Sequence, residues 1–260
     1  ITEGRNFLER YKDQPELISG FERYPFVYIA EQYPEYVTWD MDKILILTLD
    51  IEVACESGFP NAQKADEPLL CITVKNQSNK AIMVWGIADY TNDRKDVRYI
   101  HCDDEIDLLK KFLDFWSSIQ PDIVTGWNIQ FFDIPYLCNR IDKLFGEKEV
   151  KKLSPWGYVN EESVYQYGRQ QQKYDIFGVA CLDYLDLYRK FTYTNQESYR
   201  LDHIAFVELG ERKDENPYET YQEWYTKDYQ SFVSYNITDV ELVDALEDKM
   251  KLHQSSKKAK

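Results

Sequence analysis

Lys43-Ile-Leu-Ile-Leu-Thr-Leu-Asp-Ile-Glu-Val53 opens with the longest strongly apolar run of the chain, Lys43–Leu49, and closes on two acids. The alternation of Ile, Leu and Val over 44–53 predicts a buried strand. A strand period of two puts Asp50 and Glu52 on one face and Leu49, Ile51 and Val53 on the other. Two carboxylates side by side on a core strand repel each other, and desolvation costs more still. A cation that prefers hard oxygen ligands, Mg²⁺ or Mn²⁺, is the usual remedy. An edge strand with a solvated polar face would show the same pattern.

The flanks place this strand in an alternating fold. Leu69–Val74 and Ala81–Ile87, joined by Asn76-Gln-Ser-Asn79, predict a hairpin. Residues 55–68, with Gly58, Pro60 and Pro68, read as a loop. Residues 103–116 predict a helix with acids in its first turn and Ile106, Leu109, Phe112, Leu113 and Trp116 on one face. Ile123-Val-Thr125 predicts a short strand, and a helix follows over about 133–145, with Pro135 in its first turn and Gly146 closing it. Residues 154–173 read as a long loop or hairpin, and 176–188 as a strand and a helix start. The last helix is expected over about 226–252. Toward the N-terminus, Asn6–Tyr11 predicts a short amphipathic helix, Pro25–Ala30 a strand, and 31–42 a connection or edge strand. Strands and helices alternating in this way imply an α/β sheet flanked by helices.

Composition narrows the function. The chain has 260 residues, with 31 Lys+Arg against 46 Asp+Glu, a formal net charge of −15. That length suits one to two domains. With aromatics at 15% it is not a disordered acidic tail. No apolar run reaches the length of a membrane span, and no secretory signal is visible. Cys55, Cys71, Cys102, Cys138 and Cys181 are widely spaced, without a CxxC pair. A zinc site or disulfide framework is thus not expected, and a reduced, cytoplasmic chain is. The acidic balance argues against a DNA-coating protein, but it allows a nucleic-acid enzyme that holds its substrate through bound metal and few contacts. The start at Ile1 rather than Met suggests a natural N-terminus upstream.

Two more acids stand in suggestive company. Asp133 lies in Thr125-Gly-Trp-Asn-Ile-Gln-Phe-Phe-Asp-Ile-Pro-Tyr136, where an ordinary N-cap aspartate would also fit. Tyr235 and Asp239, four apart in Tyr235-Asn-Ile-Thr-Asp239, share one helix face beside apolar positions. A surface Asp with a half-buried Tyr is the plain alternative. His101, His203 and His253 fit no triad or zinc spacing and read as structural or surface residues.

Taken in order, these make Asp-x-Glu, Asn-x4-Asp and Tyr-x3-Asp. The chain resembles the 3′→5′ proofreading exonuclease domain of family-B DNA polymerases, most closely the T-even-type phage branch. Leu49–Val53 resembles the first exonuclease motif, Trp127–Tyr136 the second and Ser234–Val240 the third. Leu153-Ser-Pro155, Leu182-Asp-Tyr184, Asp186-Leu-Tyr188 and Phe191–Leu201 also look similar, so the resemblance covers about 26–250. It implies an RNase-H-like mixed sheet flanked by helices, with a small N-terminal segment. It also implies two divalent cations, Mg²⁺ or Mn²⁺. Asp50 would bridge both, Glu52 and Asp239 would complete one, Asp133 would hold the other, and Tyr235 would orient the attacking water. Two such ions about 3.5–4 Å apart can clamp an in-line displacement at phosphorus. The reaction implied is hydrolysis of the terminal phosphodiester of a single-stranded DNA 3′ end, releasing a nucleoside 5′-monophosphate.

The resemblance also implies substrate contacts. Phe59 would stack on the frayed 3′ end, Asn128 would lie near the substrate strand, and Lys213 would sit near the scissile phosphate. Residues 156–175, with Tyr158, Tyr165, Tyr167, Tyr174, Arg169 and Lys173, stand where the family has a strand-separating hairpin. The expected organisation is 1–43 as the end of a polymerase N-terminal region, 44–252 as the exonuclease domain and 253–260 as a polar tail. The palm motifs would lie beyond residue 250, so no DNA synthesis is expected. The remaining polymerase domains, in the same protein or a separate chain, are the expected partners. The location would be the host cytoplasm if the chain is phage-encoded. Two rivals remain: a stand-alone exonuclease of the same group acting on single-stranded DNA or RNA, and a vestigial nuclease module kept for assembly. Many stand-alone enzymes place a His where this chain has Tyr235. The presence of all four acids weighs against the vestigial module.

Overall fold

The apolar run at 46–53 does form a strand, and it is an interior one. In the computed structural model, which describes residues 2–18, 24–35, 43–56, 58–166, 168–211 and 216–253, β1 (Ile46–Val53) lies between β2 (Leu69–Asn76) and β5 (Ile123–Gly126). The remaining strands of the sheet are β3 (Ile82–Gly86), β4 (Val97–His101) and β8 (Ala180–Asp183), in the order β4-β3-β2-β1-β5-β8. β1, β2 and β3 pair antiparallel, while β4, β5 and β8 join parallel to their neighbours. The sheet is therefore mixed, and the RNase-H-like α/β expectation holds. Strands β6 (Val159–Gln166) and β7 (Arg169–Ile176) form a separate hairpin.

The chain divides into two compact units, 1–41 and 42–260. In the first, α1 (Thr2–Arg10) occupies the predicted amphipathic segment. The expected strand at Pro25–Ala30 is instead part of helix α2 (Tyr24–Gln32). A short apolar run reads equally as strand or helix, and Pro25 falls in the first turn, where no backbone N–H is needed.

In the second unit, α3 (Glu105–Ile119) and α4 (Asp133–Phe145) cover one face of the sheet. Leu109, Phe112, Leu113 and Trp116 pack there against Leu49, Ile51, Val53 and Ile72, whereas Ile106 is only half-buried. Fully burying one such side chain contributes about 1.5–3 kcal/mol. Trp116 also satisfies its indole N–H on the Leu153 carbonyl at 2.8 Å. Asp104 caps α3 by accepting from Asp107 N at 2.8 Å. A one-turn helix α5 (Glu147–Val150) follows α4. After β8 come α6 (Tyr184–Phe191) and α7 (Leu201–Leu209).

The last helix, expected over about 226–252, is α9 (Tyr229–Met250), and only its expected first two residues belong instead to a separate short helix, α8 (Tyr221–Lys227). The break is at Asp228, whose carboxylate accepts from Ser231 N at 3.0 Å and starts α9 afresh. α9 lies on the other face of the sheet, with Val233 and Ile237 against Cys71, Ile82 and Val84. β4 and α7 had no matching expectation in the sequence. Among the described residues no helix is long and apolar enough to cross a membrane, and the five cysteines are free thiols.

Candidate active site

The acid-bearing face of β1 looks toward α9. Because β1 is interior, the solvated-edge alternative for Asp50 and Glu52 fails. The ladder to β2 slips between Glu52 and Val53, a bulge that re-aims the end of the strand. Asp50 and Glu52 meet Asp239 from α9, one carboxylate oxygen of each lying within 4.8 Å of the others. Glu52 and Asp239 are buried and Asp50 is half-buried. Asp133 opens α4 but does not cap it: Phe132 holds the cap position, without a side-chain bond. The Asp133 carboxylate instead accepts from Ile51 N at 3.1 Å, on the backbone between the two strand acids. Burial pushes the Asp133 carboxyl up, to about 8, as expected of an acid whose charge the fold itself leaves poorly solvated.

All four acids line one cleft of about 740 Å³, together with Tyr235, Phe59 and Asn128. Tyr235 is half-buried and set edge-on against Trp224, with ring centroids 4.9 Å apart. Phe59 is 77% exposed at the cleft, its ring centroid 4.9 Å from that of Phe132. Asn128 adopts a left-handed backbone, φ 62°, which Asn tolerates better than most residues. Gly126 precedes this turn, where a Cβ would run into the Leu49 carbonyl; only glycine lets β5 end so close to β1. Lys213 and Tyr167 lie outside the described residues. On the hairpin, Tyr158 and Tyr165 are exposed. Tyr174 instead turns inward, its hydroxyl 2.7 Å from Asn139 Oδ1, and Lys173 pairs with Asp175 at 2.8 Å. His253 is structural: it is buried, with Nε2 3.2 Å from Thr125 Oγ1.

Four residues in or behind the cleft had escaped the sequence reading. The Asn236 amide donates to Asp50 Oδ2 at 2.5 Å. The Tyr221 hydroxyl donates to Glu52 Oε2. Burial and the charge of Glu52 hold that phenol well above its ordinary value, so it stays protonated. Asp183 accepts from the backbone N–H of Asn128 (3.2 Å), Gln130 (3.0 Å) and Leu185 (2.9 Å), clamping the Trp127–Phe132 segment to the start of α6. Burial pushes the Asp183 carboxyl up, to about 6. Arg200, at the N-cap of α7, is the one Lys or Arg among the described residues lining the cleft. Asn236 adjoins Tyr235 and was within reach of the sequence; Tyr221, Asp183 and Arg200 carry no local spacing signal.

Carboxylates converging on one point, with hard oxygen donors, suit a divalent cation. A mixed sheet whose interior strand β1 and helices α4 and α9 bring these acids into one cleft defines an RNase-H-like nuclease domain. The chain belongs to the exonuclease-domain family of family-B DNA polymerases, whose family model matches residues 27–204. As such it is an enzyme of the 3′→5′ exonuclease class. It is 31% identical to the DNA-directed DNA polymerase of Escherichia phage RB69, over 92% of this chain and 29% of that protein. Against the DNA-directed DNA polymerase of Enterobacteria phage T4 the figures are 30%, 95% and 30%. The DNA polymerase catalytic subunit of Human herpesvirus 8 is 27% identical over 71% of the chain and 19% of that protein. The chain thus spans less than a third of the length of these relatives.

Proposed function

We propose that this chain is the proofreading part of a family-B DNA polymerase. In this reading it hydrolyses the 3′-terminal phosphodiester of a single-stranded DNA end and releases a nucleoside 5′-monophosphate. The observation that carries the reading is the convergence of Asp50 and Glu52 from β1 with Asp239 from α9, in a cleft that Asp133 and Tyr235 also line. Asp50, Glu52, Asp239 and Asp133 hold two divalent cations, Mg²⁺ or Mn²⁺. When bound, such ions supply Lewis acidity toward water and the leaving 3′ oxygen. The chain's own residues do the positioning. Tyr235, braced by Trp224, orients the water through its hydroxyl. Phe59, exposed at the cleft, offers a ring for the terminal base; such stacking is worth about 1–3 kcal/mol per base and tolerates any sequence. Asn128 and Lys213 contact the substrate strand.

The further polymerase domains are the natural partners, in the same protein or a separate chain. Residues 1–43 then end the polymerase's N-terminal region, 44–252 form the exonuclease domain with the buried His253 packed into it, the residues after it are a polar tail, and the setting is cytoplasmic. The β6–β7 hairpin, with Tyr158 and Tyr165 exposed, is suited to help part primer from template. The test is digestion of a 5′-labelled single-stranded oligonucleotide with Mg²⁺, run beside Asp50→Ala/Glu52→Ala. A ladder shortening from the 3′ end, absent in the double variant, is the expected result. Digestion by the double variant would overturn the reading.

A further inference from the structure

The carboxylates of the cleft are gripped from behind by neutral donors, and these donors have their own support. Asn236 is completely buried on α9. A carboxylate only accepts hydrogen bonds, so the amide nitrogen must be the atom facing Asp50 Oδ2, at 2.5 Å. The other end of the amide, Oδ1, takes the Cys71 thiol at 3.5 Å. Cys71 is itself buried on β2, directly across the ladder from Glu52. On the other side, Tyr221 opens α8 and puts its hydroxyl on Glu52 Oε2. Its ring is wedged edge-on against Trp224, Tyr225 and Phe232, with centroids 5.4–6.3 Å away. Both donors are thus fixed by packing before any ligand arrives.

Their neutrality matters as much as their position. A lysine or arginine in either place would orient the carboxylate and cancel its charge, and so compete with a cation. An amide and a phenol orient without cancelling. A carboxylate offers about four lone-pair positions, so one bond to Asn236 leaves Asp50 able to ligate.

We propose that Asn236 and Tyr221 are positioning residues that hold Asp50 and Glu52 in the orientation a divalent cation requires, and so set the cation affinity of the site. This rests on the reading of the cleft as a cation site and adds the residues that tune it. Loss of such outer partners elsewhere weakens metal binding by about 10–100-fold.

The test is calorimetric titration of the whole chain with Mn²⁺ alone, without DNA. Tyr221→Phe removes one oxygen and keeps the ring packing; Asn236→Leu removes the amide at similar volume. Tyr225→Phe, which removes a hydroxyl from the neighbouring ring, is the control. Binding at least about ten-fold weaker in Tyr221→Phe and Asn236→Leu, with Tyr225→Phe like wild type, is the expected result. Should Asn236→Leu not fold, Tyr221→Phe decides by itself. Wild-type affinity in the folded variants would overturn the inference while leaving the cation site intact. Tighter binding by Tyr221→Phe would overturn it too, because the hydroxyl would then be a competitor of the ion. Absence of Mn²⁺ binding by the wild type would instead overturn the cation reading beneath it.

Discussion

Asp239 and Asp244 stand five residues apart on the same helix, both buried, in opposite electrostatic settings. Asp244 meets the fold's own cations: Lys75 Nζ at 2.8 Å and Lys80 Nζ at 2.7 Å. Glu105 is similar, held by Arg140 through two parallel bonds of 2.7 and 2.6 Å. Asp239 instead faces Asp50 and Glu52 across an open cleft. At Asp244 and Glu105, both structural, the fold supplies a lysine or arginine. At Asp50 and Glu52 it supplies the neutral donors Asn236 and Tyr221.

The sharpest way to break this contrast is to neutralise each aspartate in turn. Asp239→Asn should lower exonuclease activity by at least about 10³-fold, at the upper end of what one lost charge-stabilising group costs. The metal-free protein should be as stable as wild type or more so, because a repulsion is gone. Asp244→Asn should instead cost about 3–5 kcal/mol by stranding the buried Lys75 charge. Oligonucleotide digestion and denaturant unfolding read the two effects separately. Equal stability losses in both variants would erase the distinction.

Cations offer the next test. At a hundred times its dissociation constant, Mg²⁺ or Mn²⁺ should stabilise the wild type by about 2.7 kcal/mol. Thermal melting should show this shift retained in Asp244→Asn and lost in Asp50→Ala/Glu52→Ala.

Asp183 sharpens the comparison through pH. Its folded pKa, about 6, lies above the unfolded value of about 3.9. The folded state therefore holds the proton more tightly, and wild-type stability from this group falls as pH rises from about 4 through 6. Asp183→Asn stays neutral throughout. The variant should therefore be more costly relative to wild type at pH 4 than at pH 7.5, by about 2–3 kcal/mol. Denaturant unfolding at the two pH values checks the sign.

The smallest effect concerns Arg200. If its guanidinium meets one backbone phosphate, Arg200→Ala lowers the slope of log K against log salt for single-stranded DNA by about 0.7. Anisotropy in the Asp50→Ala background, across a salt series, measures it; an unchanged slope would exclude a phosphate contact there.

Local periodicity was enough to establish β1, the β2–β3 hairpin, α3, α4 and the acids on the β1 face. These follow from alternation, capping and turn residues that act over a few positions. It misread Pro25–Ala30, because six apolar residues carry no decisive period, and it missed the break at Asp228, where one side-chain cap outweighs a continuous helical pattern. Spacing put Asp50 with Glu52 and Tyr235 with Asp239 on shared faces, while the full set with Asp133 came from the resemblance to the exonuclease motifs. What tertiary structure alone decided is how these acids are treated. That Asp133 grips the Ile51 N–H rather than capping its helix, that Tyr221 and Asn236 hold Glu52 and Asp50, and that Lys75 is spent on Asp244 are contacts across up to 186 residues of chain. No local pattern encodes them, because electrostatic compensation depends on distance in space and on burial, and both exist only once sheet and helices have packed.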